Sequence, residues 1–406
     1  MATANLSMSA RLALLPGSME RAFVWSSPWS GQRRLAIGSA LDLTAEGPAR
    51  FDELSAQWQH YSCSLQLSGL GRPPALVGGF SFDPAPRAPA LATLLWLPAA
   101  ELVETIGGPT QLVLNAMVRP HRNVTPSLHA TACALWALVG PQSAAPRPRI
   151  VGLLETPSDA DWMSIVDRAH SELEARRLSR IVLARRVAVA FDRPLSTPVL
   201  LADMLGCRPA GAVFGARLND RWLLGQTSEC LLHLRGDRAA SHGLAGAPRE
   251  FTAGHVESAL RQSFRHVSVG YADGGPEGRS TSVSASARVD HPDVLQLCGA
   301  LHPTPATSGH PIGPALRFLR TFEGFDRGWY GAPVGWVERG GDGEFVVAAG
   351  AATADGAALT AYTHCRLTAD TGSDEPHPVL RALRADVPAR QPHSDGVTDP
   401  LQMVGR

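Results

Sequence analysis

The chain has 406 residues, 44% of them hydrophobic, enough to fill one large core or two ordinary ones. Its 37 basic and 37 acidic side chains cancel, which excludes the strongly basic field that gathers nucleic acid or an anionic membrane. No lysine occurs, so all 37 basic residues are arginine, and a Schiff base, a phosphate-loop lysine or a lysine general base is excluded.

In chain order, the N-terminus MATANLSMSARLALLPGSMERAF holds only the brief apolar run LALL, too short for a secretory core. No apolar stretch of about 18 residues follows, so the expectation is a cytoplasmic chain without a membrane span. Short apolar runs broken by Gly and Pro come next, and TQLVLNAMV (Thr110 to Val118) alternates as a strand does. GPQSAAPRPRI (Gly140 to Ile150) reads as a connector. It separates residues 1–150, the N-terminal part of the fold, from a core over 151–390, and a disordered tail is expected over 391–406.

Beyond the connector, SDADWMSIVDRAHSELEARRLS predicts a capped helix from Asp159 to Arg177, with Trp162, Ile165, Val166, Ala169 and Leu173 on one face. RIVLARRVAVAF (Arg180 to Phe191) reads as a strand, and RWLLGQTSECLLHLRG (Arg221 to Gly236) as two strands around a polar turn. DGGPEGRSTSVSAS (Asp273 to Ser286) reads as a flexible loop, and further helices are expected around Pro314 to Phe322 and Val379 to Ala385. The six cysteines show no CxxC pair, so the expectation is reduced and mostly buried thiols rather than zinc ligands or disulfides. Helices among paired strands predict a mixed α/β domain with largely antiparallel sheet.

Four segments stand in a fixed order: RIVLARR, LLGQTSECLL, GLAGA, and LHPTPATSGHP through RGWYGAPVGW. Together they resemble the chorismate-utilising enzymes, specifically the isochorismate synthase branch close to siderophore salicylate pathways. The resemblance implies one α/β domain of two stacked, largely antiparallel sheets flanked by helices, with a deep pocket for chorismate and Mg²⁺. In such enzymes a lysine activates water, a glutamate protonates the departing hydroxyl, and further glutamates hold the metal.

Carried over by position, the resemblance puts Arg180 at the general-base lysine, where a permanently protonated guanidinium cannot accept a proton. Glu229, in GQTSE, falls at the general acid, with a buried pairing to Arg180 as the alternative reading. Gly254, before His255, and Gly278 fall where a metal glutamate and a substrate-contacting histidine are expected. Glu323 matches the glutamate ahead of D-R-G-W-Y, while Gly246, Ala306 and Tyr330 fall on the substrate side of the pocket. Gly350 stands at a carboxylate-binding arginine, and AYTHCRL brings His364 and Arg366 into a glycine-rich cradle. Of the terminal metal glutamates only Glu375 has a counterpart.

These departures predict a site with no metal and no cofactor. The expected function is a repurposed, metal-independent isomerase, lyase or cyclase of specialised metabolism, using Glu229 or Glu323, with Arg180, His364 and Arg366 reshaping the pocket. The alternatives are a non-catalytic partner stabilising a pathway protein, a residual isochorismate synthase, and an ammonia-using relative of anthranilate synthase. The expected partner is a small-molecule substrate or a pathway protein, not nucleic acid or a membrane. The dense stretch EGFDRGWYGAPVGW (Glu323 to Trp336) is expected to serve as scaffold more than as reacting centre.

Overall fold

Short apolar runs become strands, the central ones buried on both faces and others alternating with one face in a core. The computed structural model describes residues 20–69, 72–86, 92–118, 121, 123–137, 148–207, 211–243, 249–272 and 280–369. In order, the first half forms β1 (Arg21–Ser27), β2 (Gln32–Ile37), β3 (Leu41–Thr44), α1 (Arg50–Cys63), β4 (Ala75–Gly79), β5 (Leu94–Leu97), β6 (Ala100–Thr105), β7 (Gln111–Leu114) and α2 (Thr125–Ala137). Next come β8 (Ile150–Thr156), α3 (Asp159–Glu174), β9 (Arg180–Phe191), α4 (Thr197–Gly206), β10 (Ala212–Leu218), β11 (Arg221–Thr227), β12 (Cys230–Arg235), β13 (Arg238–His242), α5 (Arg249–Leu260) and β14 (Phe264–Ala272). The chain continues with β15 (Ser280–Arg288), α6 (Val294–Leu301), β16 (Gly309–His310), α7 (Ile312–Phe322), β17 (Pro333–Glu338), β18 (Gly343–Val347), β19 (Ala351–Asp355) and β20 (Ala358–Leu367).

Among the described residues two antiparallel sheets result. Sheet one has eleven strands, in the order β16-β9-β20-β19-β11-β10-β1-β2-β6-β7 with β8 also on β9. Sheet two has nine, in the order β14-β15-β13-β12-β18-β17-β4-β5-β3. Strands from either side of the connector interleave, since β1 pairs with β10 and β4 with β17. The inner faces meet in an aromatic core of Phe23, Trp25, Trp96, Phe214, Trp329 and Trp336. Arg34 on sheet one bonds Glu101 at 2.9 Å and, across the layers, Glu338 on sheet two at 3.0 Å, with its guanidinium carbon 3.8 Å from the Trp336 ring centre. Helices α1, α5 and α6 cover the outer face of sheet two, while α3 and α7 cover the β9 end of sheet one.

The α/β architecture with two stacked antiparallel sheets is the one expected. Helix α3 begins where its cap demands, because the Ser158 side chain accepts the Asp161 N–H and two aspartates face the helix dipole. It stops at Glu174, short of Arg177, as Arg176 turns to a φ of 56°. Two expectations need correction. Ser280 to Ser286 is not loop but part of β15, because Thr281, Val283 and Ala285 alternate inward while the residues between them face out. The thiols are free, yet only Cys230 and Cys298 are buried, whereas Cys63, Cys133 and Cys207 are exposed on helices or at their ends. The helix expected over Val379 to Ala385 and the tail over 391–406 lie outside the described residues, as does most of the connector. Among the described residues no helix is long and apolar enough to cross a membrane.

Candidate functional site

Strand register assembles the site. On β9 and β20 the pairs Val182 with Arg366 and Ala184 with His364 put Arg180, Val182 and Ala184 on the same face as Tyr362, His364 and Arg366. That face looks into the core, where Ala184 and Tyr362 join the aromatic cluster. Glu229 comes from the short turn where β11 of sheet one passes into β12 of sheet two, anchored by the Thr227 hydroxyl and by a bond from Val347 N–H to its carbonyl. Ala306 and Thr307 come from the turn before β16, and Tyr330 and Gly331 from the loop before β17.

Glu229, Ala306, Tyr330, His364 and Arg366 therefore line one cavity, together with Val182, Thr307, Arg327, Gly331 and Ala349. Its volume is about 10 Å³, which admits about one water molecule. Tyr330 stacks on Tyr362 at 4.5 Å, and its hydroxyl lies 3.5 Å from His364 Nδ1, so these side chains occupy the space themselves.

Arg180, two residues before Val182 on β9, is fully buried, and among the described residues none of its three guanidinium nitrogens has a hydrogen-bond partner. Burial, with Arg366 nearby, pulls it down to about 10, and Glu229 only partly offsets this. The two residues act on each other through charge without a direct hydrogen bond. Burial pushes the Glu229 carboxyl up to about 7 against the pull of Arg366 and Arg180.

Glu323 stands apart from the cavity. Its Oε1 accepts the Ala184 N–H at 2.8 Å and also bonds Arg327 Nη2, while Oε2 accepts Arg327 Nε at 2.7 Å. The carboxylate is thus fully engaged between β9 and the D-R-G-W-Y loop. Gly246 and Glu375 lie outside the described residues. Sequence reasoning passed over Arg327, although its spacing of four residues from Glu323 was a legible sign of pairing.

The positions assigned to metal and carboxylate anchors offer little. Gly254 supplies no donor on α5, and among the described residues no group of three His, Cys, Asp or Glu could hold a metal ion. At Gly350 a Cβ would come within 2.3 Å of the Gln226 carbonyl oxygen, so an arginine could not return there without moving β11. The residues described do not fit a magnesium site.

Two buried carboxyls make a pH prediction. Glu229 and Glu344, the latter accepting a bond from Ser27, are both raised to about 7 by burial. Each folded value lies above the unfolded one, so their stabilising contribution is complete below about pH 4 and is lost as pH rises through about 7. The unfolding free energy from urea titrations is expected to fall from about pH 5 to about pH 8. Glu344→Gln should flatten that slope by on the order of 1 kcal/mol per pH unit, and an unchanged slope would mean Glu344 ionises freely.

Sequence and fold comparisons agree with this architecture. A family model described as chorismate binding enzyme matches residues 3–265 and 279–375. The salicylate biosynthesis isochorismate synthase of Pseudomonas aeruginosa is 30% identical over 353 residues, covering 77% of this chain and 73% of that protein. The isochorismate synthase MenF of Bacillus subtilis is 24% identical over 395 residues, covering 86% and 83%. Among solved structures, the menaquinone-specific isochorismate synthase MenF of Escherichia coli superposes with a TM-score of 0.75 at 17% identity, over 94% of this chain and 90% of that one. Anthranilate synthase component I of Streptococcus pneumoniae superposes with a TM-score of 0.69 at 13% identity, over 85% and 89%. The chain belongs to the chorismate binding enzyme family and is isochorismate synthase-like.

Proposed function

We propose that this isochorismate synthase-like chain has given up magnesium-dependent chemistry on chorismate and keeps its fold as a non-catalytic partner of another pathway protein. The cavity carries this reading: about 10 Å³ stands where ligand sites measure about 300–1,000 Å³. Tyr330, His364 and Arg366 fill the space that a dianionic substrate would need. The other features point the same way. Arg180 cannot serve as general base, and the described donor set does not fit magnesium.

The test is incubation of the pure protein with chorismate, with and without Mg²⁺, and analysis of products by liquid chromatography and mass spectrometry. No isochorismate or salicylate is expected under either condition. Product formed only with Mg²⁺ would overturn the proposal.

One observation favours a second reading, a metal-independent isomerase, lyase or cyclase. A carboxyl raised to about 7 is half protonated at neutral pH and can donate a proton, which is the condition Glu229 meets. This reading requires the pocket to open for a less anionic ligand. Turnover of any pathway compound without Mg²⁺, abolished by Glu229→Gln, would replace the first reading with the second.

A further inference from the structure

A second, much larger concavity lies away from this site, on sheet two beyond its contact with sheet one. Its volume is about 810 Å³, and it is lined by His233 and Arg235 of β12, Arg238 of β13, Arg265 and His266 of β14, and Arg261 after α5, with no carboxylate among the described residues of its wall. Register explains the concentration. Arg235 pairs with Arg238, Arg238 with Ser286, and Ser286 with His266, so one row of positions crosses four strands on a single face. The adjacent row is His233, Ala240, Ser284 and Ser268, whose small side chains leave a trough.

Arg235, Arg238, Arg265 and His266 are exposed, and among the described residues the three arginines make no ion pair. Arg261 is paired with Glu257, and Asp342 accepts the Gly236 N–H in the β12–β13 turn. In a chain of zero formal charge this is a marked local excess. Like charges placed directly opposite on neighbouring strands cost stability. Protection of a sheet edge explains Arg265 on the edge strand β14, but not Arg235 and Arg238, which lie three and two strands in.

We infer that this trough binds an acidic segment of a partner protein in extended conformation. Four strands span about 14 Å, the length of about four extended residues, so the trough matches a short run of carboxylates better than one small dianion. The inference rests on the reading of the chain as a docking partner and supplies the surface by which it docks.

The probe is a fluorescein-labelled oligoglutamate peptide, titrated with the full-length protein and followed by fluorescence anisotropy. Controls are an uncharged peptide, inorganic pyrophosphate and a single-stranded oligonucleotide as competitors. Saturable binding is expected, weakened at least about tenfold in Arg235→Glu/Arg238→Glu and weakened by salt, while the uncharged peptide does not bind. An unaltered thermal midpoint would show that the double variant is folded, and Arg238→Gln, with a smaller loss, provides a milder check. Absence of binding, equal binding by the variant, or tighter binding of pyrophosphate or the oligonucleotide would each overturn the inference. Chorismate turnover with peptide binding intact would instead remove the non-catalytic reading and leave the trough standing.

Discussion

Arg327→Met is expected to lower the unfolding free energy by about 3–5 kcal/mol in urea titrations, the cost of breaking a buried ion pair by removing one partner. Arg327 is 3% exposed, and all three of its guanidinium nitrogens are engaged, with partners in three parts of the fold. Its Nε and Nη2 hold Glu323, Nη1 donates to the Thr307 carbonyl at 2.7 Å, and Nη2 also reaches the Val182 carbonyl at 3.0 Å. The guanidinium carbon lies 4.6 Å from the Phe82 ring centre. Burial alone would weaken its charge, but the Glu323 carboxylate outweighs that and holds the guanidinium protonated above its ordinary range. Removing it strands a buried carboxylate and two carbonyls at once. Arg327→Lys restores the charge without the fork and is expected to lose about 1–3 kcal/mol. Arg221→Met, which breaks the exposed pair with Asp355, serves as control at under about 1 kcal/mol. A loss at Arg327 no larger than the control would show that the D-R-G-W-Y loop is not held by this pair.

That cluster shows what the sequence made legible. Strand β9 was read to its ends because β-branched and apolar residues repeat where a two-sided core requires them. The start of α3 was marked by its serine cap and acidic first turn. Family resemblance brought Glu229, Ala306, Tyr330, His364 and Arg366 to notice, and the structure gathers all five around one cavity. What stayed hidden depends on contacts between residues far apart in sequence. The volume left beside Tyr330 depends on how its ring stacks against Tyr362 and meets His364, which no local pattern encodes. The basic trough on sheet two was equally hidden, since its arginines fall on three strands and a helix end and meet only through register. β15 was missed because serines dominate its outward face and masked the inward alternation of Thr281, Val283 and Ala285.

The other large effect is expected to run in the opposite direction. Arg180→Met should raise the unfolding free energy by about 1–4 kcal/mol, as replacement of poorly compensated buried charge by an apolar side chain of similar length does. Arg180 has no solvent exposure and, among the described residues, no hydrogen-bond partner on any guanidinium nitrogen, and the nearby Arg366 adds repulsion. Glu229 attracts it, but burial holds that carboxyl near neutrality, so the attraction is weakened at neutral pH. Arg180→Met therefore has a pH signature that simple packing would lack. Its stabilising effect should be larger at about pH 5, where Glu229 is protonated, than at about pH 8, where the carboxylate compensates Arg180. Urea titrations at both pH values supply the comparison. Destabilisation at both would mean that Arg180 is held by a bond this arrangement lacks, and a stabilisation independent of pH would mean that Glu229 does not titrate beside it.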